Sequence, residues 1–571
     1  MKALSGMDNL FLQMEQGNQF MHVASLGIYD QSTAPGGSVR FKQILKFFGD
    51  RIQKEKVFRR RLVVPPFNID RPYWVEEGVI DVEYHVRHIA LPAPGDWRQL
   101  MIQVARLHSR PLDRSKPLWE AYVIEGLDNI EGIAKGSFAF YMKTHHAAVD
   151  GEAGAQLVQK IHSLTNAVEE GPAPQHVVVA DREPTKVELY SRAIASRGAQ
   201  LFDAGKLLAS LSSRATQAGM AMAASGKLFE VGQKLFERSM TPKPIGKSDL
   251  PDGLKHKPLT RFDVDVSPHR VVDAMGVSLE DCKTIREHVA DVTINDIFIA
   301  TCGGAVRSYL SAKGELPKQT LSALMPISTR GENKNADVGN QVGMVPVPLR
   351  TDIADPLKRL QGARKGARTS AGASSMLGHD FSAKLIQVMP GIASQNLITH
   401  GLVPLCNTTV SNVRGPNVPL YLAGAKLQVF LPLSIAFNGI GLNMTGFSYN
   451  GILWVCFVAC RKMLPDPSFF VKCLNDSFAE ILAAAKKLPR LDGGKATVKV
   501  APTASAKAKP AAKKPAVTAK PKTGPKSVPK PALKPAAKAS AKPAKVASKI
   551  KPVVKTVAKS AAKTRSPKPT K

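Results

Sequence analysis

Hydrophobic and polar residues follow two different periods along the first 170 positions of the chain. Apolar residues recur at helical spacing in residues 41–53, 97–109 and 151–164. They alternate with other residues, as in strands, in residues 81–87, 118–125 and 136–144. In the last of these segments Phe138, Phe140 and Met142 occupy every second position, which indicates a strand with one buried face. This succession of helices and strands predicts a mixed α/β unit.

A second α/β pattern begins near residue 256 and continues to about residue 490. Ser278, with Asp281, and Thr293 are placed to cap helices that run through His288 and over residues 294–310, respectively. Strand-like runs are found at residues 321–327, 342–349, 427–433 and 452–459. Among these runs, the Gly-Pro pair that ends Ser411–Pro416 predicts a fixed loop.

The segment between the two units, residues 171–255, has a different composition. Proline-rich stretches bracket residues 189–240, which are rich in Ala, Ser, Leu and Lys and are typical of one or two amphipathic helices. These helices can form a connector that packs on the protein core. In the alternative, Leu207, Leu208 and Leu211 form an apolar face with a basic rim that contacts a lipid surface.

Positive charge is concentrated near the carboxyl-terminal end of the sequence. The 571 residues include 79 Lys and Arg against 46 Asp and Glu, a net charge of +33. Residues 495–571 contain 21 Lys and one Arg but no acidic residue, so two thirds of the excess belongs to this segment. It has no aromatic residue and frequent proline, which predicts a disordered tail. The predicted organisation is therefore 1–170, a connector at 171–255, a second unit at 256–494 and a tail at 495–571.

Export and membrane insertion are not predicted from the sequence. The amino-terminal residues lack the apolar core and the small-residue cleavage site of a signal peptide. The most apolar region, residues 420–447, is interrupted by Lys426, Gln428, Asn438 and Asn443. Six cysteines without a C-x-x-C pair favour reduced thiols in the cytoplasm. Any association with the inner membrane or with lipid inclusions is therefore expected to be peripheral.

The candidate chemistry lies in the segment His145–Gly151, HHAAVDG, between a predicted strand and a predicted helix. Adjacent histidines at a turn can simply form hydrogen bonds. A metal site is a second interpretation, but adjacent histidines at a strand end point to opposite sides, and no H-E-x-x-H motif or cysteine accompanies them. The third interpretation is acyl transfer with His146 as the general base.

An imidazole is suited to acyl transfer because it titrates near neutral pH. One ring nitrogen can take a hydroxyl proton during attack on a thioester and return it to the thiolate. No G-x-S-x-G motif is present, which favours direct attack by a bound alcohol over an acyl-enzyme. Asp150 would support the ring or the turn. Asn295, in the first turn of a predicted helix, is a candidate hydrogen-bond donor to the oxyanion.

Several segments together resemble one known family. The motif H-H-x-x-x-D-G at His145–Gly151 is similar to the signature of the bacterial wax ester synthase/acyl-CoA:diacylglycerol acyltransferases, and condensation domains of peptide synthetases share it. Other segments resemble only the acyltransferases: Leu4–Asp8, Met21–Val23, Pro117–Trp119, Asn295-Asp296 and Ser411–Pro416. In the last segment Arg414 stands where that family usually has proline, a departure that concerns the loop and not the chemistry.

The resemblance implies a fold and a set of site residues. The fold would be α/β, with two chloramphenicol-acetyltransferase-like subdomains and an active-site tunnel that coenzyme A enters from one side and the lipid alcohol from the other. His146 would be the general base, His145 and Asp150 supporting residues, and Asn295 part of the oxyanion site or close to it. Structural or cleft-forming roles would fall to the other motif residues: Pro117, Leu118, Trp119, Gly151, Asp296, Asn412, Gly415 and Pro416.

The leading functional prediction is an acyl-CoA-dependent O-acyltransferase that esterifies a long-chain alcohol or a diacylglycerol, giving wax ester or triacylglycerol. Acyl-CoA would be a substrate, with no tightly bound cofactor and no metal. One alternative is a condensation-type enzyme with carrier-bound substrates, although no carrier-domain signature accompanies the motif. The other is a lipid-inclusion or nucleoid-associated protein that acts through residues 495–571, whose charge would attract anionic lipid or DNA.

Overall fold

The computed structural model describes residues 1–167 without 69, 179–203 without 201, 206, 257–328, 340, 342–377, 381–389 and 391–491. All of them belong to one unit that spans Met1–Lys495. The predictions for the apolar face at Leu207, Leu208 and Leu211 and for the tail at 495–571 lie outside the described residues.

Helices and strands alternate through both halves of the chain, as the hydrophobic periods predict. The amino-terminal half contains β1 (Lys2–Ala3), α1 (Gly6–Met14), β2 (His22–Asp30), α2 (Phe41–Ile52), α3 (Lys56–Arg59), β3 (Arg60–Val63), β4 (Tyr73–Glu76), α4 (Val82–His85), β5 (Val86–Ala90), α5 (Trp97–His108), β6 (Trp119–Glu125), β7 (Phe138–His145), α6 (Gly151–Lys160) and α7 (residues 186–200). The carboxyl-terminal half contains β8 (Arg270–Ser278), α8 (Leu279–His288), α9 (Ile294–Ala312), β9 (Ser322–Ser328), β10 (Val342–Pro348), α10 (Pro356–Leu377), α11 (Phe381–Val388), α12 (Gly391–Asn396), a π-helical turn (Leu397–Leu402), β11 (Thr408–Arg414), β12 (Tyr421–Leu422), β13 (Ala425–Leu433), β14 (Leu442–Tyr449), β15 (Ile452–Cys460) and α13 (Pro467–Lys486).

Side-chain caps set the start of several predicted helices. Thr293 and Asp296 form a reciprocal capping box at α9, in which each side chain accepts from the other residue's backbone N–H at 3.2 and 2.9 Å. Ser278 caps α8 by accepting from the backbone N–H of Glu280 at 3.1 Å. The helices predicted over 41–53, 97–109 and 294–310 are confirmed to within two residues at each end.

Two six-stranded sheets form the centre of the molecule. The first has the order β12-β13-β2-β7-β6-β5, and the second has the order β10-β9-β11-β14-β15-β8. A small third sheet has the order β1-β4-β3. The prediction of an α/β fold with two sheet-rich halves is confirmed.

The two halves of the sequence are joined by a strand exchange. Strand β13 lies in the carboxyl-terminal half of the sequence but pairs antiparallel with β2, placing Leu431 opposite Leu26 in the first sheet. Strand β14, which follows it, pairs with β15 in the second sheet. The chain therefore passes from one sheet to the other after β13, which is separated from the motif-bearing strand β7 only by β2.

Strand β7 is buried on both faces, so the prediction of one buried face was wrong. Phe138, Phe140 and Met142 pack with α2 and α6, as the alternation indicated. The intervening Ala139 and Tyr141 pack on the opposite face, against α5. A central strand covered by helices on both faces has no solvent side on which to place polar residues.

A short helical turn, α4, replaces the predicted strand at residues 81–87. The Asp81 carboxylate accepts a hydrogen bond from the backbone N–H of Tyr84 at 3.0 Å and caps Val82–His85. Only from Val86 onward does the chain pair with β6. The local side-chain cap therefore overrides the alternating pattern of this segment.

Residues Ser411–Arg414 are also not the loop that the Gly-Pro pair indicated. They belong to β11, which runs parallel to β14, and the loop begins only at Gly415. A Cβ atom on Gly415 would lie 2.2 Å from the ring of Phe447 and 2.3 Å from the carbonyl oxygen of Ser448. Glycine is therefore required there because the backbone passes so close to β14.

Within the described residues, no helix has the length and apolar character needed to cross a membrane. All six cysteines are buried and free of disulfide bonds.

Candidate active site

The histidine motif lies where β7 ends, and the two neighbouring strands hold its backbone. The backbone N–H of His145 donates to the carbonyl oxygen of Leu118 at 3.0 Å. The backbone N–H of His146 donates to the carbonyl oxygen of Met21 at 2.7 Å. These bonds anchor the two successive histidines to opposite neighbours, so the position of the turn is set from both sides.

Helix α6 begins directly after the turn, and Asp150 is its N-cap. The Asp150 carboxylate accepts from the backbone N–H of Ala153 at 2.8 Å, and the side chain is 3% exposed. An aspartate cap satisfies one of the free N–H groups of the first helical turn and interacts favourably with the helix dipole. Asp150 therefore holds the start of α6 and, with it, the end of the motif.

The imidazole of His146 lies on a cavity wall and stacks on Phe11. The two ring centroids are 4.0 Å apart with an interplanar angle of 15°. The carbonyl oxygen of His146 accepts from Asn340 Nδ2 at 2.7 Å, which holds the backbone from the second half of the chain. Its ring nitrogen Nδ1 is buried and has no hydrogen-bond partner among the described residues.

Burial lowers the pKa of His146 below the ordinary histidine value, while the nearby charge of Asp150 raises it in part. The ring is therefore neutral at physiological pH. A neutral imidazole is the form that can accept a proton.

His145 is engaged in a different way. Its ring is fully buried, its Nδ1 accepts from the backbone N–H of Ala147 at 3.0 Å, and its Nε2 lies 2.7 Å from Glu15 Oε2. Both ring nitrogens are thus used inside the protein, and neither can meet a substrate. His146 is the histidine with access to the cavity.

The cavity itself lies between the two sheets and has a volume of about 670 Å³, within the usual range for small-molecule sites. Helix α1 lines it with Met7, Leu10, Phe11 and Met14. The first sheet contributes residues of β2, β7 and β13, and the second contributes residues of β9, β10, β11 and β14. Neither half of the chain forms this cavity alone.

Most of the wall is apolar, but strands β11 and β14 add five polar residues to it: Thr409, Ser411, Asn412, Asn443 and Thr445. Two of these residues satisfy each other, since the Thr445 hydroxyl donates to Asn443 Oδ1 at 2.8 Å. The Thr409 hydroxyl is buried and has no hydrogen-bond partner among the described residues.

Asn295 does not line the cavity as a candidate oxyanion donor would. It is half-buried in the first turn of α9, and its Oδ1 accepts from Asn412 Nδ2 at 3.5 Å. Asn412, from the loop motif, is the residue of this pair that faces the cavity. The structure thus brings the two predicted asparagines together and places Asn295 behind Asn412.

Of the remaining motif residues, Gly151 lines the cavity, and the others lie outside its wall. Leu118 and Trp119 are buried, and Trp119 Nε1 donates to the carbonyl oxygen of Phe58 at 2.9 Å. Pro117, before them, is also buried, and Asp296 serves the cap of α9. Gly151 lines the cavity, whereas Gly415 and Pro416 follow the end of β11 without lining it.

Three residues that contact the motif were missed from the sequence: Phe11, Asn340 and Glu15. The pattern Ser5-x-x-Asp8 signals the capping box that begins α1, the helix of Phe11, and thus gave a local hint of the helix. Nothing local marks Asn340, which lies 194 residues from His146 and bonds to its carbonyl group and to Asp8 Oδ1.

The described part of the chain contains no group of three or more His, Cys, Asp or Glu side chains arranged to hold a metal ion. No cysteine is among the residues that line the cavity.

Comparison with known proteins identifies the family. The sequence matches the wax ester synthase/diacylglycerol acyltransferase catalytic domain over residues 4–298 and the WS/DGAT C-terminal domain over residues 338–482. It is 34% identical to the O-acyltransferase WSD of Acinetobacter baylyi over 474 residues, which cover 81% of this chain and 93% of that protein. The fold is similar to that of the wax ester synthase/diacylglycerol acyltransferase from Marinobacter aquaeolei VT8, with a TM-score of 0.58 and 25% identity, covering 85% of this chain and 100% of the other. The chain belongs to the wax ester synthase/diacylglycerol acyltransferase family.

Proposed function

We propose that this protein transfers a fatty acyl group from acyl-CoA to a long-chain alcohol or a diacylglycerol, with His146 as the general base. The observation that carries the proposal is the position of the His146 ring on the wall of a largely apolar cavity between the two sheets. Membership of the family separates this function from that of a carrier-dependent condensation enzyme.

In the proposed reaction the hydroxyl oxygen of the acceptor attacks the thioester carbonyl carbon. His146 takes the hydroxyl proton as the new C–O bond forms, and the imidazolium returns that proton to the sulfur as the C–S bond breaks. The products are the ester and coenzyme A with its free thiol. No acyl-enzyme is needed, and no cysteine lines the cavity to form one with a thiol.

The negative charge that develops on the carbonyl oxygen requires a fixed hydrogen-bond donor. An asparagine amide carries two N–H groups, so Asn412 can use one toward Asn295 and keep the other for the oxyanion. In this arrangement Asn295 orients Asn412. The hydroxyl of Thr409, on the same strand, has no other hydrogen-bond partner among the described residues and is a second candidate donor.

The acyl chain is proposed to lie among the apolar side chains of the cavity. Five methionines line it: Met7, Met14, Met21, Met142 and Met344. Methionine is unbranched and adapts its shape, so such a wall can accommodate chains of different length. This suits an enzyme whose substrates have long, flexible hydrocarbon parts.

The proposed activity is tested with the full-length protein and palmitoyl-CoA, with either hexadecanol or a diacylglycerol as acceptor. We expect thiol release that depends on the acceptor and equals the amount of ester formed. Comparison of the two acceptors assigns the product as wax ester or triacylglycerol. Thiol release that is the same with and without acceptor would indicate hydrolysis and contradict the proposal.

We further propose that the protein works in the cytoplasm at the surface of the inner membrane or of a lipid inclusion, where its acceptor is found. Helix α7 and the residues after it carry exposed apolar side chains, including Val187 at 77%, Ile194 at 72% and Phe202 at 65% exposure. Lys206 lies over the Phe202 ring at 4.4 Å. Apolar side chains beside cations are typical of helices that lie at a lipid interface.

The basic segment 495–571 is proposed to add an electrostatic contact with a polyanion, either anionic lipid or DNA. Removal of residues 495–571 should weaken low-salt binding to vesicles that contain anionic lipid by about tenfold, while leaving turnover with soluble palmitoyl-CoA unchanged. Binding by the intact chain should weaken steeply between about 0.05 and 0.5 M salt, because released counterions drive it.

A variant in which glutamine replaces the lysines of this segment serves as the matched control, since it keeps the length but removes most of the charge. Parallel assays with zwitterionic vesicles and with duplex DNA identify the polyanion. If the truncated protein still binds anionic vesicles at low salt as the intact chain does, the segment is not the anchor.

A further inference from the structure

A buried carboxylate lies behind the histidine motif. Glu15 directly follows helix α1, and its side chain is 9% exposed. Its Oε2 accepts from His145 Nε2 at 2.7 Å and from the backbone N–H of Met21 at 3.2 Å. Arg114 lies 3.5 Å from the other carboxylate oxygen, and His22 Nε2 lies 3.7 Å from Oε2.

Two hydrogen bonds together determine the tautomer of His145. The backbone N–H of Ala147 donates to His145 Nδ1, so that nitrogen carries no proton. The proton of the neutral ring is therefore on Nε2, where it is donated to Glu15. Burial raises the pKa of Glu15, but the bond to His145 and the charge of Arg114 lower it by more, so the carboxylate stays ionised and accepts this bond.

The same carboxylate also acts on the other side of the turn. Met21, whose N–H is bound to Glu15, accepts the backbone N–H of His146 through its carbonyl oxygen at 2.7 Å. Phe11, one turn earlier in α1, stacks on the His146 ring. Phe11 in α1 therefore contacts the ring of His146 directly, and Glu15, just after α1, holds His145 and Met21.

We propose that Glu15 is a positioning residue for acyl transfer. It holds the ring of His145 and the backbone of Met21, and through them it sets the orientation of His146 against the cavity. The proposal rests on the assignment of His146 as the base. A base that is displaced by about 1 Å can lose about 100-fold in rate, so a carboxylate that never touches the substrate can control turnover.

The test compares Glu15→Ala with Glu15→Gln in the full-length protein. Glu15→Ala removes both hydrogen bonds and should lower kcat by about 10- to 100-fold. The KM for palmitoyl-CoA should stay within about twofold, because the binding walls are not changed. Glu15→Gln keeps an oxygen that can accept from both His145 and Met21, and should retain kcat within about threefold of the unmodified protein.

Glu120→Gln is the matched control. Glu120 Oε1 lies 2.7 Å from Nζ of the fully buried Lys143, two residues before His145 on the same strand. Lys143 also donates to the carbonyl oxygens of Leu107 and Arg110, away from the histidine motif. Its loss should lower stability, while kcat per folded molecule stays within about twofold. The folded fraction of each variant is measured by circular dichroism so that rates are compared per folded molecule.

Two results would overturn the proposal: an unchanged kcat in Glu15→Ala, or a loss that Glu15→Gln does not rescue. Failure of the proposed function is recognised separately. If the His146→Ala protein keeps its activity, His146 is not the general base. An inactive His146→Ala beside a fully active Glu15→Ala would leave the base in place and reject only the role of Glu15.

Discussion

Replacement of His146 by alanine or glutamine is expected to lower kcat for ester formation by about 10²- to 10⁴-fold, the usual contribution of a general base. Without the imidazole, the acceptor hydroxyl must attack while it still holds its proton. The KM for palmitoyl-CoA should change little, because proton transfer occurs only in the transition state. Thiol release and ester formation are measured together, with hexadecanol as the acceptor.

Two features of the chain make this test specific. Glutamine keeps much of the volume beside Phe11, so loss of activity in His146→Gln cannot be assigned to a collapsed stacking contact. His162→Asn is the control, because His162 is buried and bonded to Tyr29 but does not line the cavity. Its loss should reduce stability and spare the kcat of folded protein. Equal rates for His146→Ala and the unmodified protein would reject the assignment of the base.

Replacement of Asp150 by asparagine is expected to lower kcat by about tenfold or more and to move the acid limb of the kcat/KM profile to lower pH. The negative charge of Asp150 stabilises the imidazolium that forms on His146, and each 1.36 kcal/mol lost from the transition state is about tenfold in rate. The same charge raises the pKa of His146, so its removal allows the ring to stay neutral at lower pH.

The direction in which the acid limb moves depends on which protonation form of His146 reacts. The base is active when neutral, and burial already lowers its pKa below the ordinary value of 6.5, so the acid limb of the unmodified enzyme should lie below pH 6.5. Asparagine is an equally good N-cap, which preserves the start of α6. Asp150→Ala, which also removes the cap, should cost a further 0.5 to 2 kcal/mol or so in stability. An acid limb that moves to higher pH in Asp150→Asn would contradict the electrostatic role.

Hydrophobic periodicity predicted the existence of several helices and strands better than it predicted how many of their faces are buried. Helices α2 and α5 and strands β6, β13 and β15 were found within a few residues of their bounds. Periodicity was misleading about the second face of β7, where Ala139 and Tyr141 are also buried, and about the type of element at Asp81, where a single side chain changes the backbone. Strands β2, β8 and β14 were not predicted. Strands β2 and β14 are central and lack a polar face that would mark their period, whereas β8 lies at the edge of the second sheet.

The site was predictable to the extent that it lies in contiguous motifs. His145, His146, Asp150 and Asn412 were named from the sequence, and the structure places each of them at the cavity or directly behind it. Asn295 was predicted from its position at a helix end to be in or near the oxyanion site, and its side chain contacts Asn412, which lines the cavity. A helix period indicates which residues share a face, but it does not indicate what that face meets.

The sequence by itself determined the resemblance to the family, the mixed α/β class and the HHAAVDG motif as the candidate for proton transfer, because these depend on residue types at short, fixed spacings. Only the tertiary structure decided that the ring of His146 lies on the cavity wall, that both ring nitrogens of His145 are bonded inside the protein, and that Asn412 rather than Asn295 lines the cavity. Those properties depend on contacts between His146, Phe11 and Asn340, which are far apart along the chain. Such contacts arise from the packing of two sheets, and no local pattern of residues specifies them.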